Sequence, residues 1–397
     1  MHLRFSIRSA KWLGAVLLAF QLSACSKSSG GGGDIPVDPP VPPPVTTVTA
    51  IASVDDGVRD FMARFNVPGL SLAIVKDGRL VYCKGYGFAD QTAAKYVDTA
   101  SLFRIASISK SITAVSILKL AEEGKLSLSA KVFGAQGVLG TTYGTQPYQN
   151  NITNITIQQL LQHTAGGWTN DANDPMFTNP SLTAGELISW TLNNRPLDNT
   201  PGDRYAYSNF GYSILGRVIE KVTGKTYEEY VRTNILAPLG ITRMQIGGNT
   251  EADRKTDEVK YYGQSNQNPY AYNISRMDAH GGWIASAKDL MKFAVAVDGF
   301  STKPDMLSAT SINTMTTGSS ANPAYGMGWM VNSSNNWWHT GALPGTATMI
   351  ARSSGGYSWS ILTNTRSMDA NFTGEMDQLI WRAINNSSTQ WPAKDQF

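Results

Sequence analysis

In Ser107-Ile108-Ser109-Lys110 a hydroxyl stands three residues ahead of an amine. On an α-helix that spacing sets both side chains on one face. The run from Ser107 to Glu123 reads as such a helix, closed by Gly124 and preceded by the extended Leu102-Phe103-Arg104-Ile105. A serine at a helix start keeps its hydroxyl exposed and its N–H outside the helical ladder, where the dipole favours developing negative charge. A lysine desolvated in a cleft loses affinity for its proton and can serve as a base. The chemistry on offer is nucleophilic attack by Ser107 with Lys110 accepting the proton. A capping serine beside a surface lysine has the same sequence, so the pair alone does not decide. Ser116-Ile117-Leu118-Lys119 repeats the spacing, but Ser116 falls mid-helix, about half a turn out of phase with Ser107.

Competing chemistries lack their residues. No G-x-S-x-G elbow and no glycine-rich phosphate loop occurs. His2, His163, His280 and His339 are the only histidines, and none has H-E-x-x-H spacing, so no metal and no cofactor is expected. Cys25 and Cys83 are the only cysteines. Cys83, in the alternating run Leu80-Val81-Tyr82-Cys83-Lys84, reads as a buried strand residue.

Two later segments complete a set. Tyr207-Ser208-Asn209 lies in a Gly/Pro-rich stretch, and His339-Thr340-Gly341 opens a strand-like segment. The ordered series S-x-x-K, Y-x-N, H-x-G resembles the penicillin-recognising serine hydrolases. More narrowly, it is similar to the group joining class C β-lactamases, soluble D-Ala-D-Ala carboxypeptidases and family VIII carboxylesterases. The likeness extends through Leu160–Gly167, Gly281–Ser286 and Tyr325–Trp329, and spans about residues 52–386.

The resemblance implies a role for each position. Ser107 is the acylated nucleophile, and Lys110 accepts its proton or holds it near Tyr207. Tyr207, as phenol or phenolate, relays a proton to the leaving group and later activates water. A free tyrosine has a pKa near 10, so ionisation needs a nearby cation such as Lys110. Asn209 donates to a carbonyl of the substrate. Thr340 and Gly341 line the strand edge along which substrate lies, and the N–H groups of Ser107 and Ala342 form the oxyanion hole. His339 departs from the lysine of class C β-lactamases; it is neutral above about pH 6.5 and attracts a substrate carboxylate less. The implied activity is amide or ester cleavage through an acyl-enzyme on Ser107, of D-Ala-D-Ala carboxypeptidase or carboxylesterase type, on a small-molecule or peptide substrate. The alternatives are a class C-type β-lactamase and a non-catalytic penicillin-recognising module.

The elements that must hold these residues can be read along the chain. Val54 to Phe65 has helical spacing. Leu70–Val75 and Leu80–Tyr86 form a hairpin across Lys76-Asp77-Gly78. Tyr325–Val331, Thr346–Ala351 and Ser358–Thr363 read as strands, and Phe372–Ile384 as a final helix. The expected fold is α/β (α+β): an antiparallel sheet built from both ends of the chain, flanked by helices, with an all-helical insertion over about 125–275. The resemblance implies the β-lactamase/transpeptidase-like arrangement.

Other residues have quieter readings. Arg104 fits a structural ion pair, and His163 and His280 fit loop packing through backbone hydrogen bonds. Trp329, Trp337 and Trp338 could line an acyl pocket or pack the sheet.

Composition sets the frame. The chain has 397 residues, 42% hydrophobic and 16% charged, which excludes a disordered chain. Residues 1–24 read as a signal peptide: Arg4, Arg8 and Lys11 precede the apolar run Trp12–Leu22, which is shorter than the roughly 20 residues of a membrane span. Without those three cations 30 basic residues face 30 acidic ones, and no basic cluster points to nucleic acid. Leu22-Ser23-Ala24-Cys25 resembles a bacterial lipobox, which implies cleavage before Cys25, acylation of Cys25 and export to a membrane surface. Residues 25–49 then form a Gly/Pro-rich tether, whose Pro36–Pro44 part would span on the order of 28 Å. The hydrolase domain is residues 50–397.

Overall fold

The computed structural model describes residues 50–171 and 173–397. The signal peptide, Cys25 and the tether lie outside the described residues.

Apolar alternation builds the central sheet. In β1 (Gly69–Lys76) Leu70, Leu72 and Ile74 point to one face, while Ala73 and Val75 point to the other, and all are buried. A strand apolar on both faces must be covered on both. Val54, Val58, Phe61 and Phe65 of α1 (Ala52–Phe65) cover the first face, together with the C-terminal helix Phe372–Asn385. The second face meets the larger core around α2 (Ser109–Glu122). β2 (Arg79–Asp90) follows β1 through Asp77 and Gly78, both at positive φ, the conformation a two-residue hairpin loop requires.

The sheet has seven strands in the order β3-β2-β1-β10-β9-β8-β7, with β3 at Lys95–Tyr96, β7 at Met330–Val331, β8 at Trp337–Leu343, β9 at Thr346–Arg352 and β10 at Tyr357–Thr363. Its pairings are antiparallel, and β1 meets β10, so both ends of the chain share one sheet. A second, three-stranded sheet runs β4-β6-β5, with β4 at Phe103–Arg104, β5 at Gln245–Ile246 and β6 at Trp283–Ala285.

Two expectations change. The segment 125–275 is mostly short helices and loops, but it is not all-helical, because β5 lies within it. β6 carries β4 on one edge, and Gln245 and Ile246 supply the backbone partners for the other. Of the expected strand Tyr325–Val331 only Met330–Val331 is extended. Gly328 has φ +74° and lies against the backbone of α2, where Ser111 Oγ donates to its carbonyl at 2.6 Å. A side chain at Gly328 would crowd Lys110 O and Ala114, so the chain bends there to seat on α2.

Candidate active site

β4 leads directly to Ser107. Ile105 N–H donates to Trp283 O at 2.9 Å, Ala106 turns into the left-handed region at φ +47°, and a short 3-10 turn over Ala106–Ile108 feeds α2. A positive φ at alanine is strained and persists only where its surroundings hold it. β8 supplies that support: a side chain at Gly341 would collide with Ile105 O and Thr348 Oγ1. Ser107 is half-buried at this turn, whereas Ser116 is buried and donates to Ile112 O at 2.8 Å.

Lys110 has no solvent exposure. Its Nζ lies 3.1 Å from Ser107 Oγ, 2.7 Å from Asn209 Oδ1 and 2.8 Å from the His280 carbonyl. Three acceptors thus meet the three hydrogens of an ammonium, yet none of them carries a charge. Desolvation brings the pKa down to about 7, against the raising pull of the Asp174 carboxylate. At neutral pH a large share of Lys110 is therefore free amine beside the Ser107 hydroxyl.

Asn209 begins the helix Asn209–Thr223, which Ser208 caps by accepting from Gly211 N at 3.0 Å. The structure directs its amide differently from the expectation. Nδ2 donates to Asn170 Oδ1 at 3.0 Å and to Asp174 Oδ2 at 2.8 Å, so both amide hydrogens are engaged within the protein. Two acceptors behind Nδ2 force Oδ1 toward Lys110. Asn209 thus orients the lysine through Oδ1. Asp174 is buried, and burial holds its pKa above the usual carboxylate value, opposed by the hydrogen bonds from Asn209 and Met176 N.

Tyr207 is half-buried, and its hydroxyl faces the Ser107 side chain. Burial raises its pKa, so it is a phenol at neutral pH rather than a phenolate. Lys110 does not reverse this, because Nζ lies over the ring face, 4.8 Å from the centroid. The His163 ring packs against Tyr207 at 4.2 Å.

The H-x-G segment lies in the middle of β8 rather than at its start. His339, Gly341 and Leu343 are buried on the side of the Ser107 turn; Thr340 and the exposed Ala342 alternate with them. Thr340 is half-buried, and its side chain lies on the face opposite His339 and Gly341. β9 pairs along all of β8, but β7 pairs only with Trp337 and Trp338. Among the described residues the ladder on that edge stops before His339. His339 is buried, 3.2 Å through Nε2 from Tyr325 Oη and 2.7 Å through Nδ1 from Thr340 O. Burial first, and then the Lys110 charge, bring its pKa down to about 3. It presents no charge to a substrate.

Ser107, Lys110, Tyr207 and Asn209 thus converge, with Gly341 and His339 bounding them. Asp174, Asn170, Tyr325 and the His280 carbonyl join the site without having been singled out as its parts. Asp174-Pro175 could have been read as a helix start, since Asp174 accepts from Met176 N at 2.9 Å. Nothing local marks it as a partner of Asn209. Arg104 is structural: its guanidinium reaches Pro269 O and Gly248 O and lies 3.7 Å from Glu258. Trp329 and Trp337 are buried against each other in the core. Among the described residues no group of three or more His, Cys, Asp or Glu is placed to hold a metal ion.

A serine at a strained turn, a neutralised lysine and a tyrosine beneath a sheet edge define a site of the serine-hydrolase kind. The profile of the Beta-lactamase family matches residues 54–378, and the chain belongs to that family of serine hydrolases. Among curated relatives, Protein flp of Staphylococcus aureus strain MRSA252 is 30% identical over 208 residues, covering 52% of this chain and 40% of that protein. The chain thus spans less than half of that relative. D-amino acid amidase from Ochrobactrum anthropi SV3 shares the fold with TM-score 0.66 and 23% identity, over 84% of this chain and 97% of that one. The β-lactamase/D-alanine carboxypeptidase from Pseudomonas syringae shares it with TM-score 0.69 and 19% identity, over 84% and 98% respectively.

Proposed function

We propose that this protein hydrolyses amide or ester bonds through an acyl-enzyme on Ser107. The observation that carries the reading is the Lys110 amine, 3.1 Å from Ser107 Oγ and with its pKa down to about 7. Such an amine removes the Ser107 proton as Oγ attacks the substrate carbonyl carbon. The N–H groups of Ser107 and Ala342 receive the oxyanion. Tyr207, a phenol, gives its proton to the departing amine or alkoxide. Water then attacks the ester while the Tyr207 oxygen takes its proton, and Ser107 is released with the proton that Lys110 had held.

The substrate class we favour is a D-amino-acid peptide, amide or small ester, in keeping with the amidase and carboxypeptidase names among the fold neighbours. A neutral His339 weighs against efficient β-lactam turnover, because it offers no charge to the β-lactam carboxylate. We also propose that the leader exports the chain and that Cys25 carries a lipid anchor, on the basis of the lipobox-like Leu22–Cys25.

Intact-protein mass spectrometry tests the reading. The purified protein and its Ser107→Ala variant are incubated separately with benzylpenicillin, a short-chain nitrophenyl ester and a D-Ala-D-Ala peptide. An adduct or turnover that vanishes in Ser107→Ala supports it. Hydrolysis that survives in Ser107→Ala, or no reaction with any of the three, counts against it.

A further inference from the structure

We propose that Tyr325 is a positioning residue for Tyr207, acting through a one-way hydrogen-bond relay that ties the Tyr207 loop to β8. The inference rests on the hydrolase reading for its catalytic consequence, but its geometry stands apart from it.

Four hydrogen bonds run in series through buried groups. Ser208 N lies 3.1 Å from His163 Nδ1. His163 Nε2 lies 3.1 Å from Tyr325 Oη, and Tyr325 Oη lies 3.2 Å from His339 Nε2. His339 Nδ1 lies 2.7 Å from the Thr340 carbonyl. The sense of each bond follows from its ends. A backbone N–H can only donate, so His163 Nδ1 is bare and the ring proton sits on Nε2. That proton goes to Tyr325 Oη. A carbonyl can only accept, so His339 carries its proton on Nδ1 and its Nε2 is bare. The hydroxyl hydrogen of Tyr325 therefore points to His339.

A chain that starts on an amide and ends on a carbonyl has nowhere to deliver a proton. Its work is geometric. The Tyr207 ring sits among the three relay rings, 4.2 Å from His163, 6.2 Å from Tyr325 and 6.3 Å from His339. Fixing those rings fixes the phenol that must meet Ser107. The relay also accounts for histidine at position 339: the residue there must accept from Tyr325 and donate to Thr340 O at once. A neutral imidazole does both, whereas a lysine offers donors only and cannot accept from Tyr325. Burial and the Lys110 charge keep both histidines neutral. The other titratable groups facing them are Tyr205, Tyr207 and Tyr212, which burial keeps protonated.

Imidazole nitrogen NMR on histidine-labelled full-length protein tests the relay, with signals assigned from His163→Gln and His339→Gln. The wild type is expected to hold its proton on Nε2 in His163 and on Nδ1 in His339, with neither ring titrating between about pH 5.5 and 8.5. Tyr325→Phe keeps the ring and removes the link. It is expected to lose the single tautomer at both histidines and to slow acylation of Ser107 by a nitrophenyl ester about tenfold, with KM changed less than about twofold. The opposite tautomers in the wild type, or titration of either ring in that window, overturn the relay. A Tyr325→Phe protein that acylates at the wild-type rate overturns the positioning role. Should Tyr325→Phe not fold, the wild-type tautomers still decide. A wild type that is never acylated at Ser107 contradicts the hydrolase reading instead, and leaves the relay to be judged by its tautomers.

Discussion

Arg104 and Lys110 are both fully buried cations, yet their surroundings are opposite. Arg104 meets Glu258 at 3.7 Å, two backbone carbonyls and the faces of Tyr261 and Tyr270, whose centroids lie 4.4 and 5.2 Å away. Lys110 meets three neutral oxygens, and the carboxylate of Asp174 stands only behind Asn209. A buried charge with a partner holds elements together. One with acceptors but no adjacent counter-charge gives its proton up easily, which is what a base must do. Burial alone does not separate structural from chemical residues here; compensation does.

The largest effects that sharpen this contrast fall on turnover. Ser107→Ala and Lys110→Ala should each lower kcat by roughly a thousandfold or more, since nucleophile and base act as a unit. Steady-state assays check this, with thermal melts confirming that both variants remain folded. Arg104→Met should act on stability instead. It strands Glu258, buried at 4% exposure, at a cost of about 3–5 kcal/mol, read from denaturant unfolding. An Arg104→Met protein as stable as wild type would dissolve the contrast.

A smaller change comes from Asp174. Its charge raises the pKa of Lys110, so Asp174→Asn should lower it. The free amine then forms at lower pH, and the rising limb of kcat/KM against pH moves toward acid. The rate itself should also drop, because an asparagine at 174 must set its amide donor against either Met176 N–H or Asn209 Nδ2, which disturbs the support of the amide that orients Lys110. Smallest of all is the effect of His339→Gln on the position of that limb. With its pKa down to about 3, His339 has no proton to lose near neutrality, so the midpoint should stay where Lys110 places it while the rate falls. A pH–rate comparison of the two variants checks both statements.

Stability carries the same signature. The pKa of Lys110 falls from 10.5 unfolded to about 7 folded, so between those values the unfolded chain binds more protons. Stability from this group therefore rises with pH across that window. Lys110→Met should flatten this part of the pH–stability curve.

Much of this was legible in the sequence, and the reasons differ by residue. Period-2 runs and the Asp77-Gly78 turn announced the β1–β2 hairpin, because local sterics decide such elements. The helical phase of Ser107 against Ser116 separated the half-buried serine from the buried one for the same reason. What could not be read was long-range. Asn209 as a lysine-orienting amide depends on Asp174, 35 residues away. The left-handed Ala106 depends on β8 pressing from more than 200 positions along the chain. Tyr325 lay in a motif that looked like strand, and only its bonds to His163 and His339 give it a purpose. β5 escaped notice because two residues carry no period.

The central claim is that Lys110 is the base for Ser107 and is poised near neutrality. The most direct measurement is the rate of Ser107 acylation by a nitrophenyl ester as a function of pH, followed as the adduct mass. A limb with its midpoint near 7, moved toward acid in Asp174→Asn and absent in Lys110→Ala, is the predicted result. A midpoint near the 10.5 of an ordinary lysine, or a limb that survives in Lys110→Ala, would contradict it.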